Sequence, residues 1–269
     1  NHDWYIDDKS SLETSIGYQF GEMGNSRLDY AGGANPSPAY YQDLPSYYLA
    51  DTDGPDYEGA YIAQENFINN GQINWNRIYD ANLTNNQANL NAAYVLYEDR
   101  VDDTQLTINS AYNREINENI KVTASANYRN LVSDNFAEIS DMLGGYSYSN
   151  IDSFDYLDYN LLSPNSIVSE GDKFKYHYKM NAEEMSLFSM INFSFNKLEF
   201  YVAGDITNTT FQRDGIFENE ANAGNSSGKG EEIKFDGYGV KAGITYKFSG
   251  KHILDFNSAY LQKAPSIRN

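Results

Sequence analysis

The chain has 269 residues, a formal net charge of −19, no cysteine and 24 tyrosines. That acidity argues against a nucleic-acid partner, because phosphates would be repelled, and the lack of cysteine excludes a disulfide framework or a thiolate metal site. Mean hydropathy is −0.64, and no apolar run nears the roughly 20 residues of a membrane helix, which leaves crossing by half-apolar strands open.

The start, Asn1-His2-Asp3-Trp4, carries no leader, and the other end stops at Ile267-Arg268-Asn269 without a closing element. A piece of a longer protein is expected. Residues 11–20 alternate as a strand, with Leu12, Thr14, Ile16, Tyr18 and Phe20 opposite Ser11, Glu13, Ser15, Gly17 and Gln19.

From 21 to about 87 the periodicity is lost. Gly32-Gly33, Asn35-Pro36, Ser37-Pro38, Leu44-Pro45 and Gly54-Pro55 mark turns. The stretch is too aromatic for a disordered linker and reads as an ordered, functional loop. A strand near Arg27 to Tyr30 is expected within it. Tyr40, Tyr41, Tyr47, Tyr48 and Trp75 form a candidate ligand platform, since Tyr and Trp give rigid contact area with a polar tip. The alternative is that they pack the loop on itself. Asp51, Asp53, Asp56 and Glu58 surround Gly54 and are candidate ligands for Ca²⁺, a cation that takes six to eight oxygens. The alternative is a solvated acidic turn. Asp152, Asp155 and Asp158 form a sparser acidic group.

Residues 88–98 alternate again through Leu90, Ala92, Tyr94 and Leu96, and Asp99 to Asp103 reads as a polar turn. A hairpin follows over Gln105 to Asn130. Its second half sets Ile120, Val122, Ala124, Ala126 and Tyr128 against Lys121, Thr123, Ser125, Asn127 and Arg129, with the turn at Asn117-Glu118-Asn119. Leu131 to about Lys175 is a second irregular segment, in which Asp141-Met142-Leu143-Gly144-Gly145 reads as a short helical turn ended by glycine. From Met185 two further hairpins run, turning at Asn196-Lys197 and at Ser249-Gly250-Lys251, with a loop over 214–234 between them.

The pattern gives about eight strands, short turns on one side and long loops on the other, and aromatic strand ends at Tyr18, Phe20, Tyr128, Tyr246, Phe248 and Tyr260. This predicts an all-β fold, an antiparallel transmembrane β-barrel with long external loops. If 99–104 is an external turn, 21–87 begins and ends on the short-turn side, which its size opposes. A soluble β-sandwich binding module is the alternative, because a half-wet sheet alternates too. His2, His177 and His252 have no partner pattern for a triad or metal pair, so no enzyme is expected.

Arg27-Leu28-Asp29-Tyr30, Asn35-Pro36-Ser37-Pro38-Ala39-Tyr40-Tyr41, Leu44-Pro45-Ser46-Tyr47-Tyr48, Ile73-Asn74-Trp75, Asp141-Met142-Leu143-Gly144 and Lys263-Ala264-Pro265-Ser266-Ile267-Arg268-Asn269 together resemble the barrel region of Oar-like TonB-dependent receptors. The resemblance touches nearly the whole chain and rests on the order of short motifs. It implies that residues 1–269 are part of one outer-membrane barrel of about 22 strands. It also implies a plug and an N-terminal domain, neither of which this sequence contains. The expected partners are the TonB energy-transducing complex, outer-membrane lipid and other envelope proteins, and the expected location is the bacterial outer membrane. The implied function is ligand capture by external loops and import through the plugged barrel. A barrel scaffold of a larger envelope complex, without transport of its own, is the other membrane reading.

Overall fold

The computed structural model describes residues 1–50, 52 and 54–266. The strands are β1 (His2–Asp7), β2 (Ser10–Tyr30), β3 (Tyr94–Asn117), β4 (Ile120–Asp141), β5 (Tyr148–Ser149), β6 (Ile167–Val168), β7 (Lys173–Ser194), β8 (Leu198–Gly215), β9 (Gly228–Lys229), β10 (Ile233–Ser249) and β11 (His252–Gln262). The helices are α1 (Pro45–Leu49), α2 (Tyr57–Asn70) and α3 (Trp75–Gln87). One antiparallel sheet runs β1-β2-β3-β4-β7-β8-β10-β11, with β9 added to β8, and β5 and β6 form a small separate sheet. The large sheet curls into a half-barrel, so the all-β class holds. Among the described residues its two outer strands, β1 and β11, each have one neighbour.

Cross-strand register keeps the two faces chemically distinct over most of the sheet. Val122, Ile191, Val202 and Ala242 lie side by side in one row. Five residues along, Ser15, Asn109, Asn127, Ser186 and Thr207 form a polar row on the opposite face. There Asn109 Nδ2 donates to Asn127 Oδ1, and Asn127 Nδ2 donates to Ser186 Oγ at 3.3 Å. On the apolar face Ile16, Leu187, Ile206, Val240, Ile244 and Phe256 are all exposed.

Toward the end of the sheet away from the short turns, the apolar face changes character. Glu22, Asp102, Asp134, Lys179 and Asp214 lie in a single cross-strand row on it. Beyond that row both faces are covered. Val95, Tyr97, Ala137, Ile139 and Phe174 continue the polar face but are buried, packed with Tyr148 and Val168 of the small sheet. On the other face Tyr94 is buried with Ala93 and Leu143 against Ile78 of α3. The buried core therefore sits in a cap at one end of the sheet.

Several expectations are corrected. Asp99 to Asp103 is not a turn but lies inside β3. Most of its charges are paired with neighbours: Arg100 reaches Glu22 at 2.8 Å and Asp102 at 3.0 Å, and Asp99 takes Arg27 at 2.7 Å, whereas Asp103 has no ion-pair partner among the described residues. Charges that pair across and along a sheet do not break it. The strand expected near Arg27–Tyr30 is the end of β2, which pairs with β3 as far as Tyr30↔Tyr94. The connection over 31–93 therefore starts and ends at the cap, and its large size falls on the same side as the other long loops. The rest of that stretch is not irregular, since it contains α1, α2 and α3. The second irregular segment is shorter than expected, because β4 runs to Asp141 and β7 starts at Lys173. The Asp141–Gly145 segment is a tight turn, not a helical one. Leu143 takes φ 49° and Gly144 φ 83°, which the left-handed region admits readily only for glycine. β1 was not expected at all, and it pairs His2–Asp7 with Ser10–Thr14.

Candidate functional site

The cap carries the candidate site. Two of its helices begin on side-chain caps. Asp56 accepts a hydrogen bond from the Gly59 N–H at 2.9 Å to start α2, and Asn74 accepts from the Arg77 N–H at 3.0 Å to start α3. Ile78 and Asn82, four residues apart on one face of α3, are buried. Asn82 binds the backbone of two segments. Its Nδ2 donates to the carbonyls of Tyr94, Met142 and Leu143 at 2.8, 3.0 and 3.1 Å, and its Oδ1 accepts from Ala93 N–H at 2.8 Å. These contacts tie α3 to the start of β3 and to the strained Leu143 turn.

A cleft of about 500 Å³ opens between the 34–38 segment, one face of α2 and the start of α3. Tyr94 forms part of its wall, and the Tyr94 hydroxyl donates to the Ala34 carbonyl at 2.7 Å. The chain passes so close to this ring that a Cβ on Gly33 would stand 2.7 Å from it. Asn35 is held by Tyr30, donating to its hydroxyl at 3.1 Å, and by the Ser37 N–H at 2.9 Å.

The predicted aromatic platform is partly assembled. Tyr40, Tyr41, Tyr47 and Tyr48 form a run of edge-to-face pairs with centroids 4.9, 5.8 and 5.7 Å apart. Of these, Tyr48 lines the cleft. Trp75 is the first residue of α3, half exposed, and neither pairs with the tyrosines nor lines the cleft. Of the proposed calcium ligands, Asp51 and Asp53 lie outside the described residues. Asp56 spends an oxygen on the α2 cap, and Glu58 lies in the first turn of α2. Asp152 is likewise committed to its own loop. It accepts from the N–H groups of Phe154 and Asp155 and from the Tyr159 hydroxyl at 2.8, 3.0 and 3.0 Å. Those hydrogen bonds, the Asp155 N–H foremost, hold its carboxyl below the usual range. Asp158 accepts from the Asn165 N–H at 2.7 Å.

Two further polar clusters were not legible in the sequence. On the inner side, Asp29 binds Lys175 at 2.8 Å and the Tyr148 hydroxyl at 3.0 Å. Lys175 reaches it from a bulge, with φ 60°, and its ammonium lies 4.7 Å from the Tyr97 ring centre. Burial and the neighbouring Asp29 push the Tyr148 hydroxyl pKa far up, so it stays protonated and donates to Asp29. On the outer side, His177 Nε2 lies 2.8 Å from Asp134 and 3.3 Å from Lys173, and its ring meets Phe136 and Phe217 edge to face. Burial lowers the His177 pKa, and Lys173 adds to that. Asp134 orients the ring, but the hydrogen bonds of this ring go to no hydroxyl that could serve as a nucleophile.

Compared with known proteins, the chain matches no family model and no curated protein.

Proposed function

We propose that this chain is part of a large outer-membrane β-barrel, of the TonB-dependent receptor kind, whose cap captures a ligand for import. The observation that carries this is the outward apolar band. Apolar residues face one side from Ile120 to Tyr128 in β4, Met185 to Phe193 in β7, Leu198 to Ile206 in β8 and Tyr238 to Tyr246 in β10. Each stretch is close to the 9–11 residues that a membrane strand needs. The opposite face is mostly polar, interrupted in β7 by Phe188 and Met190, as a water-filled or plugged lumen would allow. The short turns fall at one end of the sheet and the folded cap at the other.

A β-sandwich would cover the apolar face with a second sheet. Among the described residues the only other sheet has two strands, and it packs at the cap. The free edges of β1 and β11 support a larger barrel, because open sheet edges are not tolerated in hydrocarbon. Further strands would close them, in a barrel of about 22. The plug and the TonB complex would be supplied outside residues 1–269, and import would follow capture. The reading is of a binding protein in a bacterial outer membrane, not an enzyme.

Residues 1–269 hold no cysteine, and any cysteine elsewhere in the receptor is first replaced by serine. Single cysteines replace Val240 or Lys241 in the full-length receptor, and envelope membranes are treated with a water-soluble maleimide. The expected result is labelling at 241 and protection at 240. Equal labelling at both positions would sink the membrane reading.

A further inference from the structure

We propose that the cleft against α2 takes a neutral, polyhydroxylated ligand, a short oligosaccharide; this deepens the capture reading above and rests on it. The cleft volume of about 500 Å³ lies in the range of small-molecule sites. Its lining sets the ligand class. Ile62, Asn66 and Asn70 follow one another at four-residue spacing along α2, so they form one row on the helix. Gln72 and Asn74 continue that wall past the end of α2. Each carboxamide presents two donors beside an acceptor with two lone pairs. Sugar hydroxyls both donate and accept, and neighbouring hydroxyls match that pairing. Asn74 commits its oxygen to the α3 cap but keeps its NH₂. Tyr48 and Phe67, also in the lining, add aromatic surface for the C–H faces of a sugar ring.

Charge excludes the nearest rivals. Arg77 is the only basic residue between 31 and 93, a stretch that also holds Asp43, Asp51, Asp53, Asp56, Glu58, Glu65 and Asp80. An anionic ligand would be repelled. Within the cleft itself one carboxylate, Asp43, is set against one guanidinium, Arg77, so no net charge calls for a cation there. An apolar ligand would strip water from the carboxamides without replacing its hydrogen bonds.

The test is calorimetric titration of the full-length receptor in detergent. The probes are maltotriose, laminaritriose and N-acetylchitotriose as neutral sugars, and trilysine as the cationic rival. At least one trisaccharide is expected to bind, with an affinity that salt leaves unchanged. Replacing both Asn66→Ala and Asn70→Ala should weaken that binding about tenfold or more. Both positions are exposed, so an unchanged thermal midpoint is the folding control. Binding of trilysine alone, binding of none of the four probes, or full affinity in the double variant would each overturn the proposal. The cysteine-labelling pattern reports on the membrane reading separately. Labelling as expected with no sugar bound discards the ligand class and leaves the barrel standing.

Discussion

The carboxamide of Asn82 grips both backbone polar groups of Tyr94: Nδ2 donates to the Tyr94 carbonyl at 2.8 Å and Oδ1 accepts from the Tyr94 N–H at 3.1 Å. Asn82 is completely buried. Replacing it with alanine strands several backbone groups away from water, each costing about 1–3 kcal/mol if left unpaired. The expected loss for Asn82→Ala is about 3 kcal/mol, confined to the cap. Hydrogen exchange checks this. Amides of Ala93, Tyr94 and Leu143 should lose protection while those of Asn109 and Asn127 keep theirs. Uniform loss across the sheet would mean that the cap and sheet open as one unit.

The proposed lipid exposure of the apolar face would have an energetic signature as well as a labelling one. Arginine at Val122 or Ile244, on the outward face, should destabilise the barrel in lipid vesicles by about 2–4 kcal/mol, as at a bilayer midplane. Arginine at Thr123 or Thr245, one residue along and facing inward, should cost about 1 kcal/mol or less. Folding titrations in urea read the difference, and equal costs on the two faces would contradict the band.

His177 makes cap stability depend on pH. Its folded pKa lies below the ordinary value of about 6.5, because burial and Lys173 disfavour the imidazolium more than Asp134 favours it. The unfolded chain therefore binds a proton more readily than the folded one as pH falls. The stabilising contribution is complete above about pH 6.5 and is lost as pH drops through the folded value. Thermal midpoints taken from pH 7.5 down to 5 should fall more steeply in the native protein than in His177→Gln. Parallel curves would show that this ring does not set the slope.

The Asp29 cluster should behave as a coupled unit. Tyr148→Phe removes a hydrogen bond to a half-buried carboxylate and is expected to cost about 1.5–3 kcal/mol. Lys175→Met removes the ion pair at 2.8 Å. Both changes act on Asp29, so the double variant should depart from the sum by at least about 0.5 kcal/mol. Simple additivity would mean that the two partners hold Asp29 independently.

The sequence carried the sheet more readily than the cap. Strict alternation over Ile120 to Tyr128 marked β4, since a strand with one wet face leaves that trace wherever it runs. It failed at Asp99 to Asp103, where the charges look like a turn until Glu22 and Arg27 of the neighbouring strand are seen beside them. The α3 segment, rich in Asn and poor in strong helix formers, gave little propensity to read. A usable signal was present in the Asn74 cap followed by Ile78 and Asn82 at helical spacing. The partners of Asn82 at Met142 and Leu143 are 60 and 61 residues away. No local pattern reveals such a contact. The aromatic run Tyr40 to Tyr48 was visible as composition, but the carboxamide wall of the cleft was not. Asn66, Asn70, Gln72 and Asn74 look like ordinary polar surface until the 34–38 segment is folded over them.

The uninterrupted length of β3 has a mechanical consequence. From Leu106, near the rim of the apolar band, the strand continues to Tyr94 under the cap. If the sheet crosses a bilayer as proposed, at about 3.3 Å per residue and a tilt near 40°, that would lift the cleft about 30 Å clear of the lipid. β3 runs along this stretch without a loop, although its pairing with β4 shifts between Leu96 and Tyr97. In the proposed barrel, a pull or twist of the wall would reach the cap through this continuous strand. A ligand held there would register strain in the wall directly, and its release could be driven from below without any flap having to open.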